Sequence, residues 1–181
     1  MKIGIVVSGL PASGKTTVAR ELATRLHFDF LDKDDFLEAL YERYGVFSWE
    51  HRKRLSRESD VSFRNNAAKA GSAVLVSHWR PLGSDGDSGT PVEWLEDEYD
   101  LIVEVYCQCT PELAFARFTN RTRHPGHYDK HRNLEDLKMR MSSWAARFPL
   151  RLGSLVCVRS DEEVDPDALC KTVQKTIAER V

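Results

Sequence analysis

Long apolar runs are missing from this chain of 181 residues. Nowhere do about 18 apolar residues follow one another, the length a membrane-spanning helix needs. No apolar signal segment with a cleavage site opens the sequence, so a cytoplasmic protein is expected. An excess of charge of one sign is also lacking. The 26 Lys and Arg against 28 Asp and Glu leave a formal charge of -2, which argues against a life on nucleic acid or on an anionic membrane. Cysteine is scarce: Cys107, Cys109, Cys157 and Cys170 do not make a disulfide scaffold in a chain this long. No internal repeat is visible, and residues 83–90 are the only low-complexity stretch, read as a flexible polar loop. What is present is a 41% share of hydrophobic residues, enough for a core and too much for intrinsic disorder. One domain over residues 1–181, monomeric or homodimeric, is the expectation.

Apolar and charged residues alternate in two periods. Ile3, Ile5, Val6 and Val7 form a short β-branched run, followed by a glycine-rich turn and by Val18, Leu22 and Leu26 at helical spacing. Residues 28–31 read as a second strand, and Asp34 or Asp35, with Asp35 favoured, caps a helix that stops near Gly45. A long charged helix covers about residues 48–71, and its basic run at residues 51–54 reads as a solvated face. Strands at 73–77, 101–107 and 155–158 are separated by helices starting at Thr110-Pro111, Asn133 and Asp165-Pro166. Five strands alternating with helices predict an α/β three-layer sandwich around a five-stranded parallel sheet.

The chemistry begins at Gly9-Leu10-Pro11-Ala12-Ser13-Gly14-Lys15-Thr16, which is GxxxxGKT with a strand before it and a helix after it. Such a loop closes backbone N–H groups around phosphate oxygens at a helix N-terminus, where the dipole favours anions. Gly9, Ala12, Ser13, Gly14, Lys15, Thr16 and Thr17 are therefore expected to bind a nucleoside triphosphate. Lys15 would reach the β- and γ-phosphates, and the Thr16 hydroxyl would ligate Mg²⁺. ATP is expected, with GTP left open.

Two further absences narrow its use. No Asn-Lys-x-Asp that would read guanine is present, and the third strand ends Val76-Ser77-His78 without the acidic residue of motor ATPases; Glu104 sits inside the fourth strand. The acidic cluster lies after strand two, as Asp32-Lys33-Asp34-Asp35. Strand ends line the ligand crevice in parallel α/β folds, so Asp32 and Asp34 should stand beside the P-loop. One carboxylate there can hold Mg²⁺ and another can take a proton from an attacking hydroxyl. Arg117, Arg121 and Arg123 precede His124-Pro125-Gly126-His127, whose Pro and Gly break the helix and permit a hinged flap. After strand three, His78, Trp79 and Arg80 suit an acceptor with a ring and an anionic or hydroxylated group, although Trp79 also fits the edge of the core.

GLPASGKTT, LDKDDF and the arginine-rich segment resemble the small P-loop kinases of metabolites and antibiotics, a group with shikimate kinase, gluconate kinase, adenylylsulfate kinase and chloramphenicol phosphotransferase. The resemblance implies the nucleotide-kinase-like fold with a mobile lid at about residues 121–132 and acceptor-side helices at about 34–71. It implies Asp32 on the metal side and Asp34 as base, with Asp35 leaving that assignment open by one residue. It places Arg117 on adenine and Arg121 and Arg123 on phosphates. The implied activity is transfer of the γ-phosphoryl group of ATP to a hydroxyl of a small molecule. A nucleotide or polynucleotide-end kinase and an ATPase module without acceptor are the alternatives.

Overall fold

The computed structural model describes residues 1–83 and 88–181. Most of the stretch read as a flexible loop, residues 84–87, therefore lies outside the described residues. In chain order the elements are β1 (Ile3–Gly9), α1 (Lys15–Leu26), β2 (Asp29–Asp32), α2 (Lys33–Tyr44), α3 (Trp49–Lys69) and β3 (Ala73–Val76). Then come β4 (Trp79–Arg80), β5 (Thr90–Pro91), α4 (Leu95–Glu98), β6 (Leu101–Gln108), α5 (Pro111–Asn120), α6 (Leu134–Ala145), β7 (Ser154–Arg159) and α7 (Pro166–Ala178).

The main sheet has the order β2-β3-β1-β6-β7, and every pairing in it is parallel. β1 is buried along its whole length because it is the central strand, covered on both faces. Its alternation assigns the two faces. Ile3, Ile5 and Val7 pack with Val18 and Leu22 of α1 and Leu169 and Val173 of α7, while Val6 packs with Phe63 of α3 and with Trp79, Trp94 and Leu95. Helices on both faces of a five-stranded parallel sheet are the three-layer α/β arrangement that the sequence predicts. The chain leaves β1 at the middle of the sheet, and its next strand goes to the far edge. That leaves a crevice above the carboxyl end of β1, where ligands bind in such sheets.

Several boundaries differ from expectation, each for a local reason. Asp35 is not the cap of α2. Asp32 is, because it is the last extended residue of β2 and its Oδ1 accepts from the Asp34 N–H at 3.0 Å. The paired β4 and β5 and the one-turn α4 were not anticipated, being too short to show a period. The segment read as a lid, residues 121–132, contains 3₁₀ turns at Pro125–His127 and Asp129–His131. Glu104 is fully buried in β6, where its carboxylate accepts from Ser8 Oγ at 2.5 Å and from the Leu150 and Leu152 N–H groups at 2.7 and 3.3 Å. It ties the segment before β7 to the central strand, a structural duty that fits its place within the strand.

Candidate active site

The loop between β1 and α1 turns through left-handed backbone at Ala12 (φ 62°) and Gly14 (φ 88°), and Gly9 has φ 136°. Gly9 is required twice over. Its φ disfavours a side chain, and a Cβ there would stand 2.6 Å from the Cys107 carbonyl oxygen and 2.9 Å from Ser13 Oγ. Lys15 opens α1 and is 9% exposed, with Nζ donating to the carbonyls of Gly9 (3.0 Å) and Leu10 (2.7 Å). Burial lowers its ammonium to about 8, Arg121 adding to the fall and Cys107, Asp34 and Asp32 opposing it. The Ser13 hydroxyl is buried without a hydrogen-bond partner among the described residues. A desolvated ammonium, an unpartnered hydroxyl and a helix N-terminus converge on one loop, and all three suit phosphate oxygens.

Asp32 and Thr16 meet as the sequence led one to expect. The Thr16 hydroxyl donates to Asp32 Oδ2 at 3.0 Å, so a hard cation could take oxygen ligands from both. Burial pushes the Asp32 carboxyl up to about 6; the Asp34 charge adds to this, and the Asp34 N–H and Thr16 hydroxyl partly offset it. The folded value lies above the unfolded value of ~3.9, so the native state holds the extra proton between the two and stability falls as pH rises through that window. Asp32→Asn keeps an acceptor for the cap and removes the penalty. The ligand-free variant should be more stable at pH 8 by on the order of 2 kcal/mol, roughly a 5 °C rise in Tm, with the gain gone below about pH 4. Thermal melts across that range check it.

Asp34, half-exposed in the first turn of α2, is paired with Arg123. Burial alone would raise its carboxyl, but Arg123, His127, Lys33 and Arg121 outweigh it and hold the group below the usual carboxylate range. Asp34 is therefore an ionised carboxylate facing the same cavity as Lys15 and Thr16, a space of about 420 Å³.

Arg123 reaches Asp34 because its segment is docked on α2 and α3. His124 and His127 meet Glu42 and Glu38 through Nε2 at 2.9 and 2.7 Å, and Tyr128 donates to the Val46 carbonyl at 3.0 Å. The Tyr41 ring lies between the two imidazoles, stacked on His124 and edge-on to His127. Gly126 presses against that ring so closely that any Cβ would overlap it. Arg121 packs its guanidinium over Phe118 and lies 3.8 Å from Asp129; burial and Arg123 lower it to about 10. Arg117 does not point into the central cavity alone. Its Nη1 donates to the Ser160 carbonyl at 2.8 Å, at the edge of an apolar pocket of about 320 Å³ that borders Ala12, Gly14 and Thr17 and is walled by Val18, Val164 and Leu169.

After β3 the expected trio divides. Trp79 is 1% exposed, packed on Phe63, and its N–H donates to the Val7 carbonyl at 2.9 Å, so it anchors the core edge, as its position also allowed, while bordering the outer cavity. His78 lies between the central cavity and an outer one, with its ring against Trp144. Burial, with Lys15 and Lys33 nearby, pushes its imidazole down to about 3, so it is neutral. Arg80 lines the outer cavity.

Two basic residues escaped the sequence reading. Arg52, assigned to a solvated face, turns inward: its Nε donates to the His127 carbonyl at 3.0 Å and its guanidinium lies over Trp49. The signal was Trp49 three residues earlier, on the same face of the helix. Lys33 is buried and donates to Ser56 Oγ at 2.7 Å, with Asp60 at 3.4 Å. No sequence signal separates it from a surface lysine.

A glycine-rich loop at the carboxyl end of a central parallel strand, with a buried lysine and a Thr–Asp pair, defines a P-loop nucleotide-binding domain. Residues 5–140 match the AAA domain family, and the chain belongs to that family. Cytidylate kinase of Pyrobaculum calidifontis is 34% identical over 79 residues, covering 41% of this chain and 43% of that enzyme. Shikimate kinase of Moorella thermoacetica is 32% identical over 116 residues, 62% of each chain. The chain thus spans about two-fifths to three-fifths of the length of these relatives. Two solved structures share the fold over nearly the whole chain. One is a candidate kinase of Chloroflexus aurantiacus, with TM-score 0.76, 24% identity and coverage of 97% and 98%. The other is the Acinetobacter baumannii shikimate kinase in complex with shikimate, with TM-score 0.61, 20% identity and coverage of 100% and 96%.

Proposed function

We propose that this protein transfers the γ-phosphoryl group of a nucleoside triphosphate, ATP by preference, to a hydroxyl group of a small molecule. The observation that carries this is Asp34: an ionised carboxylate in the same cavity as Lys15 and Thr16, opening onto a second, larger cavity. A carboxylate there accepts the proton of an attacking hydroxyl, whereas it would repel the oxygens of a phosphate nucleophile. In the proposed step the hydroxyl oxygen bonds to the γ-phosphorus, the β–γ bridging P–O bond breaks, the proton passes to Asp34 and the nucleoside diphosphate leaves. Lys15 balances β,γ-phosphate charge; Thr16 and Asp32 would hold Mg²⁺, which offsets charge on the same oxygens. Relatives named shikimate kinase support a hydroxyl acceptor. Relatives named cytidylate kinase favour the second reading, a nucleotide kinase whose acceptor is a phosphate.

The lid is residues 121–132 and the acceptor-side helices are α2 and α3. Arg121→Ala and Arg123→Ala should each lower kcat more than they weaken nucleotide binding, because their charge acts on the closed, charge-developing state. Arg117→Ala should do the opposite, losing nucleotide affinity with kcat preserved, since its proposed partner is the adenine face. Steady-state kinetics beside direct nucleotide titration separates the patterns. The reaction itself is tested by nucleotide consumption against sugars, sugar acids, nucleosides and antibiotics of the aminoglycoside and nucleoside types. Acceptor-dependent formation of a phosphate ester is expected. Hydrolysis that no acceptor stimulates would overturn the reading in favour of an ATPase.

A further inference from the structure

The outer cavity measures about 780 Å³, nearly twice the central one, and the two share Arg52, Ser56, His78, Arg132 and Trp144 in their walls. The two cavities therefore adjoin, and a molecule that reached from the outer one past these shared walls would present a hydroxyl to the P-loop side. Its volume is in the range of sites that hold drug-sized ligands. Two half-buried indoles, Trp49 and Trp144, form part of its lining and offer apolar faces to a ring.

Its charge is the unusual feature. The whole chain carries a formal -2, yet the described lining of this cavity has six arginines and one lysine against two carboxylates, Asp60 and Asp136. Both carboxylates are engaged: Asp60 by Thr90 Oγ1 (2.7 Å) and Lys33 (3.4 Å), Asp136 by Arg140 (2.8 Å). Arg140 and Arg147 of the α6 region stand on one wall, with Lys53 and Arg57 of α3 also in the lining. A cleft lined by one sign of charge focuses its field and selects ligands of the opposite sign. One carboxylate is matched by one guanidinium fork; a wall of several calls for a group of higher charge. The central cavity is basic as well, with Lys15, Lys33, Arg117, Arg121 and Arg123 beside Asp32 and Asp34. Lys53, Arg57, Arg80, Arg140 and Arg147 line the outer cavity alone, so its positive charge is additional to the cations beside the P-loop.

We infer that the acceptor is a ring compound carrying a phosphate monoester, its phosphate held at Arg140 and Arg147 and its free hydroxyl turned toward Asp34. The word acceptor rests on the kinase reading above; the anion site itself does not.

The experiment keeps these apart. The full-length protein is saturated with ADP and Mg²⁺, so the P-loop is filled and cannot report. Calorimetry then measures pairs that differ by one phosphate: ribose with ribose 5-phosphate, and nucleosides with their 5′-monophosphates. At least one phosphorylated member should bind tenfold or more tighter than its neutral parent. The double variant Arg140→Gln, Arg147→Gln should cut that preference by tenfold and leave the parent's affinity within twofold; both side chains are at the surface, so the fold is not at stake. Neutral parents that bind as well as their phosphates, or a preference intact in the double variant, would overturn the inference. Phosphorus NMR of products from ATP adds the second axis. A new ester at a hydroxyl of the phosphorylated compound supports it. A diphosphate product overturns it, because the phosphate would then lie at the reacting end. Binding preference without any transfer would leave the anion site standing and remove the kinase reading instead.

Discussion

Lys15→Ala is expected to abolish productive triphosphate binding, with affinity falling by at least ~30-fold, the equivalent of about 2–5 kcal/mol for truncating one partner of a buried charge pair. The reason lies in what surrounds the ammonium. It is desolvated, its hydrogen bonds go to two neutral carbonyls, and its lowered value of about 8 shows a cation held where the protein itself supplies too little negative charge. Phosphate oxygens supply that charge, and the other cations of the cavity, Lys33, Arg52, Arg117, Arg121, Arg123 and Arg132, lie on α2, α3, α5 and residues 121–132 rather than on the loop. The same logic gives a pH signature. Triphosphate binding should raise the Lys15 value, so that affinity weakens as pH rises past about 8 in the wild type and stays flat there in the variant. Nucleotide titration at several pH values reads both effects. Affinity within a few-fold of wild type would reject the P-loop assignment.

How much of this was legible in the sequence depends on the kind of signal. The loop residues 9–16 carry most of their geometry in residue type, because Gly9 and Gly14 mark two of the three positive φ angles, Ala12 being the third, and Lys-Thr marks the helix start, so the site could be placed without knowing the sheet. The acidic pair was legible as a location but not as a division of labour. Whether Asp32 or Asp35 caps α2 turns on where the last extended residue falls, and that is set by the register of β2 on β3, which local spacing does not contain. The inward turn of Arg52 and the burial of Trp79 depend on partners 75 and 72 residues away, His127 and Val7. Long-range hydrogen bonds leave no periodic mark. The clasp of His124 and His127 on Glu42 and Glu38 was invisible for the same reason. The glutamates were ordinary helix-surface residues, and the two histidines gave no sign of which helix they would meet.

Asp34→Asn should lower phosphoryl transfer by about a hundredfold or more while nucleotide affinity hardly changes. An alcohol is a poor nucleophile, and a carboxylate within hydrogen-bond reach orients it and takes its proton as the new bond forms. Asp34 is ionised because Arg123, His127 and Lys33 hold its charge, and it lines the central cavity with Lys15 and Thr16. Asparagine keeps the shape and removes the proposed base. Lys15, Thr16 and the loop backbone are untouched, so nucleotide binding has no reason to fall. The pairing with Arg123 adds a second consequence. Without the carboxylate, the segment that carries Arg123 loses an ion pair, so Arg123→Ala in the Asp34→Asn background should cost less in kcat than in the wild type, as expected of two residues acting as a unit. The measurement is acceptor phosphorylation and nucleotide affinity on Asp34→Asn and Asp32→Asn side by side. If Asp34→Asn transfers phosphate at the wild-type rate and Asp32→Asn is dead, Asp32 is the base. If neither substitution matters, the acidic pair serves only the start of α2, and a hydroxyl acceptor at this site is ruled out.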